Sequence, residues 1–134
     1  MKAGSTIGLM GIGAAALVLL SVSCLFFVAE SRFYLENATA EELEIVFSIQ
    51  NEDASVAKTI APGITAFIAS GQLLEADTLL PSEFFTRISA TLPGVPEHIV
   101  FLQDPVIDQA WMGISRGSKK FDYTLRIDDS KLSR

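Results

Sequence analysis

Apolar residues follow two different rhythms along the chain. From Ile7 to Ala29 they run on without a charge, proline, asparagine or glutamine. A helix rises about 1.5 Å per residue and about 20 apolar residues cross a hydrocarbon core, so this run predicts one membrane-spanning helix over 7–29. Beyond Ala29 the period drops to two, the mark of strands with one face buried. In 43–50 Leu43, Ile45, Phe47 and Ile49 alternate with Glu44, Val46, Ser48 and Gln50. In 121–127 Phe121, Tyr123, Leu125 and Ile127 alternate with Asp122, Thr124 and Arg126. Shorter stretches predict further strands at 32–36, 56–60, 64–70, 84–92, 98–102 and 110–114. Within 84–92 the inward set is expected to be Phe84, Ile88, Ala90 and Leu92, opposite Phe85, Arg87, Ser89 and Thr91.

Turn residues fall between these strands. Ala61-Pro62-Gly63-Ile64 and Leu92-Pro93-Gly94-Val95 put proline and glycine at the two central positions of a type II turn. Proline presets φ at the first of these and glycine accepts φ > 0 at the second. Residues 51–53 and 116–120 are loop-like, and 71–82 forms the longest expected connection, with a helical turn near Leu73 to Ala76. No stretch past Ala29 keeps a 3.6-residue period. The expected fold is therefore all-β: a small antiparallel β-sandwich of immunoglobulin-like architecture after one N-terminal transmembrane helix. The expected organisation is a tail at 1–6, the span at 7–29, an exported sandwich at 30–129 and a C-terminal tail at 130–134.

Composition sharpens this division. The chain has 134 residues, room for one domain beyond the apolar run. Residues 1–29 carry a single charge, Lys2, whereas the remainder holds nine basic and all sixteen acidic residues, a net of −7. No clustered basic face is present to meet a phosphate backbone, so nucleic acid is not an expected partner. The one cysteine, Cys24, lies inside the apolar run. The domain therefore has no internal disulfide and depends on packing.

The apolar run admits three readings. Its length past Cys24 favours an uncleaved signal anchor. Leu20-Ser21-Val22-Ser23-Cys24 also has a lipobox-like order behind Lys2, which makes Cys24 the candidate lipidation residue, although Leu25-Phe26-Phe27-Val28 is apolar where lipoproteins usually continue with a polar tether. Ordinary cleavage near Ser21 to Ser23 is the third. Lys2 and the α-amino group on one flank, against Arg32 and an acid-rich stretch on the other, favour a cytoplasmic N-terminus. The expected location is the inner membrane, with the C-terminal domain on the periplasmic side. Gly4, Gly8, Gly11 and Ala15 recur every three or four residues, a candidate helix-packing face.

Chemistry is sparse. Gly113-Ile114-Ser115-Arg116-Gly117 has the Gly-x-Ser-x-Gly form of a nucleophile elbow, but that elbow needs a following helix and a later histidine. The only histidine, His98, precedes Ser115. A lone histidine does not make a transition-metal site, and Glu41-Glu42, Glu52-Asp53 and Asp128-Asp129 lack calcium-loop spacing. Neither catalytic residues, metal nor cofactor is expected. Asn37-Ala38-Thr39 is a glycosylation sequon in form, of consequence only in a eukaryotic secretory pathway. Trp111, Met112 and Tyr123 form the one aromatic grouping with polar handles, a candidate partner or ligand surface. The expected function is a non-enzymatic accessory protein that docks a partner in an envelope assembly. A carrier of a small ligand or sugar is the alternative, and a small hydrolase the third.

Overall fold

The computed structural model describes residues 28–133. Residues 1–27, which hold Cys24 and the Gly4, Gly8, Gly11 and Ala15 face, lie outside the described residues. Among the described residues no helix is long and apolar enough to cross a membrane.

Eight strands form two four-stranded sheets: β1 (Val28–Ala38), β2 (Leu43–Ile49), β3 (Ser55–Ile60), β4 (Thr65–Leu74), β5 (Phe85–Thr91), β6 (Ile99–Gln103), β7 (Trp111–Gly117) and β8 (Lys120–Asp128). One sheet has the order β4-β1-β8-β7 and the other β3-β2-β5-β6. The β-sandwich is thus as the alternating pattern implies. Every strand predicted from that pattern is present, with shifted ends.

Three differences have physical causes. First, the sandwich is not wholly antiparallel, because β1 and β8 pair in parallel from Glu30↔Lys120 to Ala38↔Asp128. Parallel neighbours need a long crossover, and here the whole intervening domain supplies it. Second, β1 starts at Val28, so Val28 and Ala29 are strand rather than the end of a helix over 7–29. Ala29 is fully buried, the first of the inward series Ala29, Ser31, Phe33, Leu35 and Asn37.

Third, the connection expected at 71–82 is shorter. β4 continues through Gly71 to Leu74, paired with Ser31 to Val28. No helical turn occurs at Leu73 to Ala76; the one α-helical turn among the described residues, α1, is Pro81–Phe84. Gly71 permits this path, since a Cβ there would lie 2.5 Å from Cε1 of Phe84.

Strand β5 corrects the expected inward set. The β2–β5 register shifts between Ser48 and Ile49, so that Phe47 faces Ile88 while Ile49 faces Phe85. This bulge turns Phe85 into the core with Ile88 and Ala90. Phe84 sits in α1 instead, stacked on Phe33 with ring centroids 5.0 Å apart. Ser89 and Thr91 are also buried, screened by their neighbours in the middle of the sheet.

The two proline-glycine turns form as expected. Gly63 and Gly94 take φ of 77° and 85°, and the amides of Ile64 and Val95 donate back to Ala61 and Leu92. The C-terminal tail is docked: the Ser133 amide donates to the Val100 carbonyl at 2.7 Å, and Leu132 packs against the core.

Candidate functional site

The β7–β8 hairpin carries the residues singled out by the sequence, and its register decides what each can do. Trp111 faces Leu125, Met112 faces Thr124, Gly113 faces Tyr123 and Ile114 faces Asp122. The strand period of two therefore divides the expected surface. Trp111 and Tyr123 point inward and are buried, whereas Met112 points outward and is 67% exposed. Trp111 stacks on Phe85 and meets Phe33 edge-on, and Tyr123 stacks on Phe33. Gly113 makes room for this ring, since a Cβ there would lie 2.8 Å from Cε1 of Tyr123. Burial pushes the Tyr123 phenol pKa up, and the nearby charges of Asp108 and Glu83 push the same way. The two rings are wall-to-wall with other side chains, so they do not form a platform open to a ligand. The Trp111 indole Nε1 is buried with no hydrogen-bond partner, which marks a residue held there by packing rather than by a polar contact.

The outward face of the same sheet presents a different arrangement. Ile114, beside Met112 at the next outward position of β7, is 59% exposed. Tyr34 and Phe67 pair edge to face across β1 and β4 in the Met112–Thr124 row, with centroids 5.7 Å apart. One row over, Asp122 sits between two arginines. Arg32 donates from Nε to Oδ1 at 3.0 Å and from Nη2 to Oδ2 at 3.2 Å, while Arg116 Nε also donates to Oδ1. This trio links β1, β8 and β7 on the face where they meet solvent. Burial alone would push the Asp122 pKa up. Hydrogen bonds from Arg32 and then Arg116, with their charges, outweigh it and hold the carboxyl below its usual range. Asp122 in turn raises the Arg32 pKa.

Because the Asp122 pKa is lowered in the fold, its stabilising contribution is complete above the ordinary carboxylate value of about 4 and disappears as pH falls through the lowered value. Thermal melts of the parent and Asp122→Asn between pH 7 and pH 2 should therefore show a gap that closes at the acid end. A gap of constant width would mean that the trio contributes through shape and not through charge.

The remaining candidates are placed apart. Ser115 lies in β7 near its Gly117 end, where its Oγ donates to the Gly117 carbonyl and accepts from the Gly117 amide. His98 precedes β6 at the other end of the sandwich, its amide bonded to the Val95 carbonyl. Ser115 is thus a turn residue of the hairpin with no histidine beside it. Among the described residues no group of three or more His, Cys, Asp or Glu side chains is placed to hold a metal. Asn37 is fully buried and donates both amide hydrogens, to the carbonyls of Glu41 and Ile60, so the sequon offers no accessible nitrogen.

Two features were missed by reading the sequence. Ile114 was placed in the expected strand 110–114 and in a serine motif but not on a surface, although it follows Met112 at the same-face spacing. The arginine-carboxylate trio draws on positions 32, 116 and 122, and only strand register brings them together. Compared with known proteins, the chain matches no family model, no curated protein and no solved structure.

Proposed function

We propose that this chain is a membrane-anchored, non-enzymatic accessory protein of the inner membrane. Its immunoglobulin-like sandwich, held on the periplasmic side, docks a partner protein of an envelope assembly. The observation that carries this is the pair Met112 and Ile114, exposed side by side on β7, an edge strand whose other side pairs with no described strand.

Exposed strand edges invite pairing, and proteins usually blunt those they do not use. The other edges here are attended to. Lys58 of β3 reaches across to the Phe67 carbonyl of β4 at 3.0 Å, and the Ser133 amide bonds β6 at Val100. β7 shows two large apolar side chains on its outer face, both more exposed than Ile99 and Leu102 of the β6 edge. That combination suits strand addition, in which backbone hydrogen bonds give affinity and alternate side chains give selectivity. The partner segment is an extended strand with apolar residues at alternate positions.

A second copy of the chain fits less well. Two β7 edges joined antiparallel are related by a two-fold axis perpendicular to the sheet, so their β1 strands run in opposite directions. The two Val28 ends would then point away from each other, which a short tether to one membrane does not allow.

Extraction of the full chain from its source membranes in mild detergent should bring a partner with it. The double substitution Met112→Asp and Ile114→Asp should abolish that association while leaving the far-UV circular dichroism unchanged. A chain that purifies alone, or a double variant that keeps its partner, contradicts the proposal.

A further inference from the structure

The end of the β4-β1-β8-β7 sheet at which β1 starts is built differently from the rest of the domain. The last paired residues of the other sheet at this end, Ile49 and Phe85, lie level with Phe33, since Phe85 packs edge-on against that ring at 5.0 Å. Residues 28–32 of β1 and 70–74 of β4 therefore run past the last pair of the other sheet, with β8 and β7 alongside as far as Lys120 and Gly117, and only 28–29 with 73–74 stand as a two-stranded tongue. The segment after β4 covers its inner side, where the Ser31 hydroxyl donates to the Leu79 carbonyl at 2.7 Å and Leu79 is buried. At the very end Ala29 is buried but its β4 neighbours are not: Leu73 is 37% and Leu74 66% exposed, facing opposite sides of the strand.

These two leucines stand directly opposite the point where the chain enters the domain, with Leu74 paired to Val28 and Leu73 to Ala29. Just before Val28 lie 21 uncharged residues, Ile7 to Phe27. A helix of that length measures about 31 Å, close to the hydrocarbon thickness of a bilayer of about 30 Å, so a span made from it is used up when Val28 is reached. The lipidated alternative leads to the same place, because Val28 is four residues from Cys24 and an extended chain covers about 14 Å in that distance. Whichever tether operates, β1 begins without a linker.

From this geometry we infer that the Leu73–Leu74 end of the sandwich is a lipid-contact surface, seated in the interfacial zone of the bilayer and holding the domain upright over its tether. The inference rests on the anchored reading given above. Charge does not drive the contact. Glu30, Glu75 and Asp77 surround the tongue along with Lys119 and Lys120, and Lys119 and Asp77 are 3.5 Å apart. The surface thus has no excess of cations to attract anionic headgroups, and burial of the two leucines is the source of affinity. The orientation also leaves the outer face of β7 parallel to the membrane normal and open from the side.

The test uses the full chain reconstituted into phosphatidylcholine vesicles, with a photoreactive benzophenone side chain placed at Leu74 or, as a control, at Ile64, in the turn just before the opposite end of β4. Irradiation should give a phospholipid adduct, seen by intact mass, at position 74 and none at position 64. The yield should be the same when a third of the lipid is replaced by phosphatidylglycerol. A chain that floats with the vesicles but gives no more adduct at 74 than at 64 overturns the lipid contact and leaves the anchor standing. A chain that does not float with the vesicles overturns both. In source membranes, an adduct from position 74 to a polypeptide rather than to lipid also overturns it.

Discussion

Phe33→Ala is expected to lower the unfolding free energy by about 4 kcal/mol, among the largest losses available to a single substitution in this domain. Phe33 is fully buried on β1, and its ring meets four others: Phe84 and Tyr123 stacked, Phe85 and Trp111 edge-on, all with centroids within 6.0 Å. These neighbours belong to α1, β5, β7 and β8, so one side chain connects both sheets and the helical turn between them. Truncation removes the transfer free energy of the ring and leaves a cavity that four rigid aromatics cannot collapse to fill. The lost edge and stacking contacts add about 0.5–1.5 kcal/mol per pair at most. With no disulfide in the domain and total stabilities of small domains near 5–15 kcal/mol, the variant should sit close to the threshold for folding. Urea unfolding followed by circular dichroism should show a markedly lower midpoint at an unchanged slope. Phe33→Leu, which keeps most of the volume, should cost about half as much or less. Equal losses for the two would show that ring geometry matters more than filled space.

The same cluster shows what a sequence can and cannot disclose. A period of two is a local property, and it placed Leu43 to Ile49 and Phe121 to Ile127 with their buried faces correct. At β1 the signal was hidden, because Val28 and Ala29 continue an apolar run that has no period of its own. At β5 a one-residue bulge exchanged the roles of Phe84 and Phe85, and a bulge leaves no mark in an alternation that is already irregular. The parallel pairing of β1 with β8 lies still further from local pattern, since it joins the two ends of the domain. Trp111, Met112 and Tyr123 stood out for their chemistry, yet the fold puts two of them in the core and leaves Met112 outside, with Ile114 as its neighbour. Spacing alone could have suggested this, since residues one apart on a strand face opposite ways. The Asp122 trio and the exposed end at Leu74 depend on register, and register was not legible.

Asn37 is the clearest case of a residue whose part is visible only in three dimensions. It occupies an inward position of β1 where an aliphatic side chain would ordinarily stand, and it is fully buried. Its Nδ2 donates to the Glu41 carbonyl at 2.8 Å and the Ile60 carbonyl at 2.9 Å. Its Oδ1 accepts from the Thr39 amide at 3.0 Å and the Thr39 hydroxyl at 2.7 Å. Its own backbone accepts from Gly63 and donates to Ile64. One side chain thus satisfies the polar groups of the β1–β2 connection and of the end of β3, while its backbone fastens the β3–β4 turn. Asn37→Ala should cost about 3 kcal/mol, because the penalty lies in the partners left unpaired in the interior, chiefly the Ile60 carbonyl and the Thr39 amide. Asn37→Asp keeps the shape and separates volume from hydrogen bonding. At neutral pH it replaces two donors with a carboxylate oxygen facing two carbonyls, so it should be at least as destabilising as alanine, and its deficit should shrink as acid protonates the carboxyl and restores one donor. Urea titrations of the three proteins at pH 7 and pH 4 measure this directly. An Asn37→Asp variant as stable as the parent at pH 7 would show that the amide donors contribute nothing and that the site needs only a side chain of this size.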